Sequence, residues 1–269
     1  YKFLIDNNVP QPQADSFIKS VPTYWGNQPI LEAPAYIGAS VMFLFILSIF
    51  VVKGPFKWWL LISFVLSLLL SWGKNFPLLT NLFIDYFPFY NKFRAVSSIQ
   101  IILEFAVPLL SVIGLHKFLA DSNLKNIKRS FAVYALPLLI ISLTSSYLSF
   151  SGLYDEYYSN SYGQEIFNKI LEERRIIFNQ DILRALIIGL IVFLILRFSK
   201  LIGRNFTFIF VFLIVFIDLY TINNRYIDKD LFIDKSVNTY NLSEIDNEIL
   251  KDSSDYRVFD LSLIHISEP

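Results

Sequence analysis

Two acidic residues fall where an acid is costly. Glu104 lies about ten residues into a long apolar run and is followed by Pro108, and Asp218 lies near one end of another such run. A carboxylate inside a bilayer costs several kcal/mol unless it faces protein or water, so an intramembrane acid marks a functional group or a structural hydrogen bond. For Glu104 both readings stand, the structural one being a bond to Ser, Thr or Tyr on a neighbouring span. Asp218, closer to the interface, reads as a structural group at headgroup level. Asp181 and Arg184 stand i,i+3 on one helix face, the spacing of a local ion pair. Arg184, inside an apolar run, is also placed to hold an anionic headgroup.

Lys74, Lys92 and Arg94 cluster at the ends of two apolar runs. Arginine offers a planar bidentate donor set and lysine a compact charge, so together they suit a phosphate clamp. Interfacial snorkelling of long cationic side chains explains them equally well. His116 has no second histidine or acidic cluster near it, so no metal site is expected. The chain has no cysteine, which removes disulfides and thiolate ligands. It carries no glycine-rich phosphate loop, no nucleophile elbow and nothing that suggests nucleic acid.

The elements that must position these groups are apolar stretches over 36–52, 56–72, 95–115, 131–150, 182–198 and 206–222. Each is about 17–21 residues long, and about 20 residues cross the ~30 Å of hydrocarbon. With 54% hydrophobic residues, 27 Phe and 17% charged residues, the chain is far from the composition of a soluble domain. The net charge of zero hides a segregation. Lys53 and Lys57 lie between spans one and two. Lys117, Lys125, Lys128 and Arg129 lie between spans three and four, and Arg197, Lys200 and Arg204 between spans five and six. The positive-inside rule makes these loops cytoplasmic and the other segments extracytoplasmic. The expected fold is all-α: a polytopic transmembrane bundle of about six spans, both ends extracytoplasmic, with interfacial external helices.

Residues 1–34 read as an external loop, 35–222 as the six-span region and 223–260 as the start of an external region. Within the bundle, 73–94 is aromatic, is broken by Pro77 and Pro88, and reads as a short helix lying in the interface. The segment 150–181 reads as tyrosine-rich and then amphipathic, with a break before Ile176. Its bland reading is a solvated helix capping span five. The last nine residues, Leu261–Pro269, are similar to the translation of a transposon-type sequencing adapter. They are expected to be read-through from a truncated DNA fragment, which would make His265 foreign and carry the true chain beyond Asp260.

Several short motifs occur in order: Tyr24-Trp25-Gly26-Asn27-Gln28-Pro29, Pro34-Ala35-Tyr36-Ile37-Gly38-Ala39, Lys53-Gly54-Pro55-Phe56-Lys57-Trp58 and Ser71-Trp72-Gly73-Lys74-Asn75. They continue with Tyr90-Asn91-Lys92-Phe93-Arg94, Asp181-Ile182-Leu183-Arg184, Asp218-Leu219-Tyr220, Asn224-Arg225-Tyr226 and Asp255-Tyr256-Arg257-Val258. In this set the chain resembles the YfhO-like bacterial membrane proteins of Bacteroidetes type, from about residue 20 to 260. That resemblance implies similarity to GT-C glycosyltransferases, which take sugars from polyprenyl phosphate at the outer membrane face. It implies a polyprenyl-phosphate sugar donor, a cell-envelope glycan acceptor, contact with membrane lipid and a multi-pass place in a bacterial cytoplasmic (inner) membrane. Lys74, Lys92, Arg94 and Arg184 would then bind phosphate, while Trp25 and Tyr90 shape the substrate entrance. The family's catalytic carboxylate lies in an early external loop, and no such acidic motif surrounds Asp6 or Asp15. The catalytic residue is therefore expected outside this chain. No cofactor is expected within the chain, and a divalent cation is expected only in a longer protein. The competing readings are a lipid-linked glycan transporter or flippase, with Glu104 as a relay, and a non-catalytic envelope-assembly protein.

Overall fold

A computed structural model describes residues 2–6, 9–20, 23, 25–26, 36–92, 96–121, 123–226, 247 and 249–251. Arg94 and the segment 252–269 lie outside the described residues, and the adapter-like tail with them. The chain divides into two units, Tyr1–Tyr226 and Ile227–Pro269, and every helix named below belongs to the first.

That unit is all helical. In order it holds α1 (Lys2–Asp6), α2 (Gln11–Ser20), α3 (Ala39–Val51), α4 (Pro55–Ser71), α5 (Pro77–Tyr86), α6 (Gln100–Asp121), α7 (Leu124–Leu143), α8 (Asp155–Tyr162), α9 (Gln164–Arg197), α10 (Ser199–Ile202) and α11 (Arg204–Asn223). Among the described residues there is no sheet, only one isolated parallel bridge between Gly26 and Gly152. Among the described residues four helices are long and apolar enough to cross a membrane: α6 with the turn before it, α7, α9 and α11. Two shorter apolar helices, α3 and α4, accompany them. This is the architecture of a multi-pass membrane protein.

The ends of these helices follow from local chemistry. Proline fixes φ and lacks an amide hydrogen, so it is tolerated at a helix start and stops what precedes it. Pro55 opens α4 after the turn through Gly54, and Pro77 opens α5. Asn123 caps α7 by accepting from the Lys125 amide at 3.0 Å. The loops predicted to be cytoplasmic do gather at one end. Lys53 shares a polar recess with Asp121, Asn123 and Asn126, and the Arg204 guanidinium lies 3.3 Å from His116 Nδ1.

α3 is the axis of the bundle. It packs against α6, α7, α9 and α11 and contributes to both apolar cores, Phe43 and Leu47 to one, Val41 and Phe45 to the other. At 13 residues it is about 20 Å long, shorter than the hydrocarbon thickness. Gly38 at φ 106° and the extended Val52 set its limits. Its closest neighbour is α6. Gly114 lies so near Ser48 that a Cβ there would come within 2.8 Å of the Ser48 Cα, and Ser111 Oγ donates to the Val41 carbonyl at 3.0 Å. Small residues and hydroxyls at the contact are the usual means of close helix approach in a membrane.

Two sequence expectations change. The segment 164–197 is one unbroken helix of 34 residues, about 51 Å long, rather than an external helix interrupted before Ile176. Its polar stretch holds neither glycine nor proline, and Asn179 is occupied elsewhere. Its amide donates to Ser145 Oγ and to the Arg175 carbonyl, and its side-chain oxygen accepts from Ser142. The segment 1–34 carries two short helices, α1 and α2. Phe3, Leu4, Phe17 and Ile18 line an apolar recess against Ile166 and Ile170 of α9. By contrast, a short helix forms as expected within 73–92: α5, flanked by 3-10 turns. Leu78, Leu82 and Tyr86 stay exposed on it, and Phe89 on the turn beyond it.

Candidate functional site

At the end of the bundle away from the cationic loops, α3, α9 and α11 meet in one polar knot. Asp218 of α11 is its centre and is 1% exposed. The carboxylate accepts from Tyr36 Oη at 2.7 Å, from the Ser40 amide at 2.9 Å and from Ser40 Oγ at 2.7 Å. It also forms an ion pair with Arg184 of α9. Tyr36 Oη in turn accepts from the Ala39 amide at 2.9 Å. The first amides of a helix have no intrahelical acceptor, and a negative charge is favoured beside them. Here Tyr36 and Asp218 supply those acceptors for α3, whose own preceding residue, Gly38, has no side chain to do so. Glycine suits position 38 because its φ is 106°, and a Cβ there would also crowd Asp218 Oδ2 at 3.3 Å.

Arg184 is held on several sides. Its guanidinium donates to the Asp218 carbonyl at 2.9 Å, to Thr221 Oγ1 at 3.2 Å and to Tyr36 Oη at 3.2 Å, and it lies over the Tyr36 ring. The i,i+3 pairing with Asp181 expected from the sequence is not made. Asp181 pairs instead with Arg225 at 2.9 Å, so α9 exchanges an acid and a base with α11 and the turn that follows it. This second pair is open to solvent, its side chains 46% and 41% exposed. Exposed pairs of this kind contribute about 0–1 kcal/mol, so Arg225 can exchange partners at little cost.

Beside the knot opens a cavity of about 580 Å³. Arg184, Arg225, Asp181 and Tyr226 stand among its lining residues, and the rest of the wall is largely apolar, with Met42, Ile46 and Leu138. Pro137 and Val133 also line it. Proline has no amide hydrogen to give to the carbonyl four residues back, so the Val133 carbonyl is released from the α7 ladder beside the cavity. The floor is braced by Tyr134, whose hydroxyl donates to the Ala185 carbonyl at 2.7 Å and whose ring packs against Gly189. An apolar cleft with cations among its lining residues matches an amphiphile with an anionic head.

The other residues singled out from the sequence do not join this knot. Lys74 and Lys92 sit exposed on the two turns that flank α5. Tyr90 packs edge-on against Phe83, and its buried hydroxyl has no partner among the described residues. Trp25 stacks edge-on with Phe150 and Phe178, away from Tyr90 in the chain and in its contacts. Glu104 is exposed on α6 and bonds to no Ser, Thr or Tyr among the described residues, so the structural bond expected for it is not made there. Among the described residues no group of three or more potential ligands could hold a metal ion.

One charged residue was passed over. Arg174 is 1% exposed. It donates to Asp155 Oδ1 and to the Phe150 carbonyl, both at 2.9 Å. Asp155 also accepts from the Gly152 amide, and Gly152 bridges to Gly26. Arg174 thus anchors the loop before α8 and the stretch around Trp25 onto α9. The signal was present in the sequence: Phe167, Ile170 and Arg174 fall at i, i+3 and i+7, one face of a helix.

No known protein family, curated protein or solved structure matches this chain.

Proposed function

We propose that this chain is the donor-lipid-binding membrane region of a GT-C-type glycosyltransferase that uses a polyprenyl-phosphate-linked sugar at the extracytoplasmic face. In this reading all six apolar helices cross the bilayer and both ends lie outside. The observation that carries it is the cavity bounded by α3, α7, α9 and α11, apolar along its wall and lined with Arg184 and Arg225. Arg184 is committed to Asp218 and sets the geometry. Arg225 releases Asp181 and takes a phosphate oxygen, while the isoprenoid chain runs down beside Met42 and Ile46. Lys74 and Lys92, exposed on the turns that flank α5, gather the headgroup at the surface. The acceptor hydroxyl attacks the anomeric carbon, the sugar–phosphate bond breaks, polyprenyl phosphate leaves, and a carboxylate outside the residues named here takes the proton.

Binding of undecaprenyl phosphate against undecaprenol to the chain in nanodiscs tests this. A charge-assisted hydrogen bond is worth about 1.5–3 kcal/mol, so Arg225→Ala is expected to weaken phosphate binding about tenfold or more and leave the alcohol unchanged. Equal affinity for phosphate and alcohol, or an unaffected Arg225→Ala variant, refutes the assignment.

A further inference from the structure

The fold that pairs Asp218 and Asp181 leaves Glu104 without a partner among the described residues. On α6 the residues Leu103, Ala106, Val107 and Leu110 are buried, whereas Ile101 and Phe105 are 69% and 67% exposed. Glu104 belongs to the exposed side with them. It lies about seven residues, roughly 10 Å, inside the membrane-spanning stretch that opens at Ser97. That is too deep for a short side chain to reach headgroup water, which only long cationic side chains do readily. The main chain sharpens the problem. Pro108 stands one turn further on and has no amide hydrogen for the Glu104 carbonyl. One turn of α6 therefore carries an exposed carboxylate with no partner among the described residues and a carbonyl that lacks the amide Pro108 cannot supply.

A carboxylate so placed demands cover, and its chemistry specifies the cover. The occupant must be donor-only and positively charged, which means arginine or lysine. Arginine, with five donors in a fixed fork, suits a carboxylate and a carbonyl together. Among the described residues of the spans, a second copy of this chain offers no free cation at that depth. Arg184 is committed to Asp218, while Lys57, which donates to the Ile49 carbonyl, and Arg197 lie at the opposite end of the bundle. We propose that the Glu104 face of α6 is a docking surface for a partner membrane-spanning helix that presents an arginine or lysine in the third nearest the extracytoplasmic face. Ile101 and Phe105 form the apolar flanks of the contact.

The test is photo-crosslinking in native membranes, with p-benzoylphenylalanine placed at Phe105 and the products identified by mass spectrometry. The expected product is a second polypeptide joined through a membrane-spanning segment that holds a basic residue. Its yield falls about tenfold in Glu104→Leu, matching loss of an interhelical polar contact of roughly 1–2 kcal/mol on a helix that still inserts. Restoration by Glu104→Arg, once the partner's basic residue is exchanged for glutamate, completes the case. Crosslinks to lipid alone, crosslinks to a second copy of this chain, or a yield unchanged in Glu104→Leu each overturn the proposal.

Discussion

Removing Asp218 should do more harm than removing any other carboxylate of the bundle. In Asp218→Ala the Arg184 guanidinium loses its counter-charge, and Tyr36, Ser40 Oγ and the Ser40 amide lose their acceptor. Breaking a buried pair from one side costs about 3–5 kcal/mol, because the surviving charge stays desolvated. The Asp218 side chain is fully buried and that of Arg184 is 20% exposed. Arg184→Ala leaves the carboxylate three neutral donors, so its cost is lower, about 2–3 kcal/mol. The double variant removes both charges at once. Its loss should stay near that of Asp218→Ala alone, giving a coupling of about 2–3 kcal/mol. Reversible unfolding in mixed micelles of mild detergent and dodecyl sulfate, followed by tryptophan fluorescence, measures all three. If the single losses add to within about 0.5 kcal/mol, the two groups act independently and the knot is not a coupled unit.

Gly114→Ala should destabilise by about 1–3 kcal/mol, since its Cβ would lie 2.4 Å from the Ser48 Cβ and only the helix backbones can yield. Gly189→Ala drives a methyl to 2.3 Å from the Tyr134 ring, and the same unfolding assay should show a loss of similar size. Arg174→Ala should loosen the segment 148–163 while leaving the spans intact, and brief proteolysis from outside should cut there first. Arg174→Lys should rescue little, because one ammonium does not reproduce two directed guanidinium bonds. The cysteine-free background makes topology direct to read. With a membrane-impermeant maleimide on intact cells, Ser161→Cys should label and Gly54→Cys should not, and the reverse pattern would invert the bundle.

The helices were legible because their signal is local. Apolar runs of bilayer length, Pro55 and Pro77 at helix starts, and lysines crowded at one set of turns all act within a few residues. The site was legible only in part. Arg184 and Asp218 stood out as charges inside apolar runs, but the i,i+3 rule pointed Arg184 at Asp181. The tertiary pairing goes elsewhere because Asp218 is buried beside the start of α3, where a bare charge needs a counter-ion, whereas Asp181 reaches water and Arg225. Spacing along one helix cannot report which neighbouring helix carries a deeper acid. The limits of α3 had a similar origin: composition extended the span over Tyr36–Val52, and the backbone at Gly38 ended it sooner. Arg174 shows the opposite failure, a helical stripe that was readable yet obscured by the run of charges around it.

The capping of α3 has a consequence for biosynthesis. Tyr36 and Asp218, which together close the first turn of that helix, are 182 residues apart. A ribosome adding about 5–20 residues each second delivers α11 some ten seconds or more after α3. Through that interval the central helix waits in the membrane with its leading amides unanswered and its neighbours arriving one by one. Its final register is set by a helix that emerges much later, so a stall before α11 would leave a loosely organised bundle exposed to quality-control proteases.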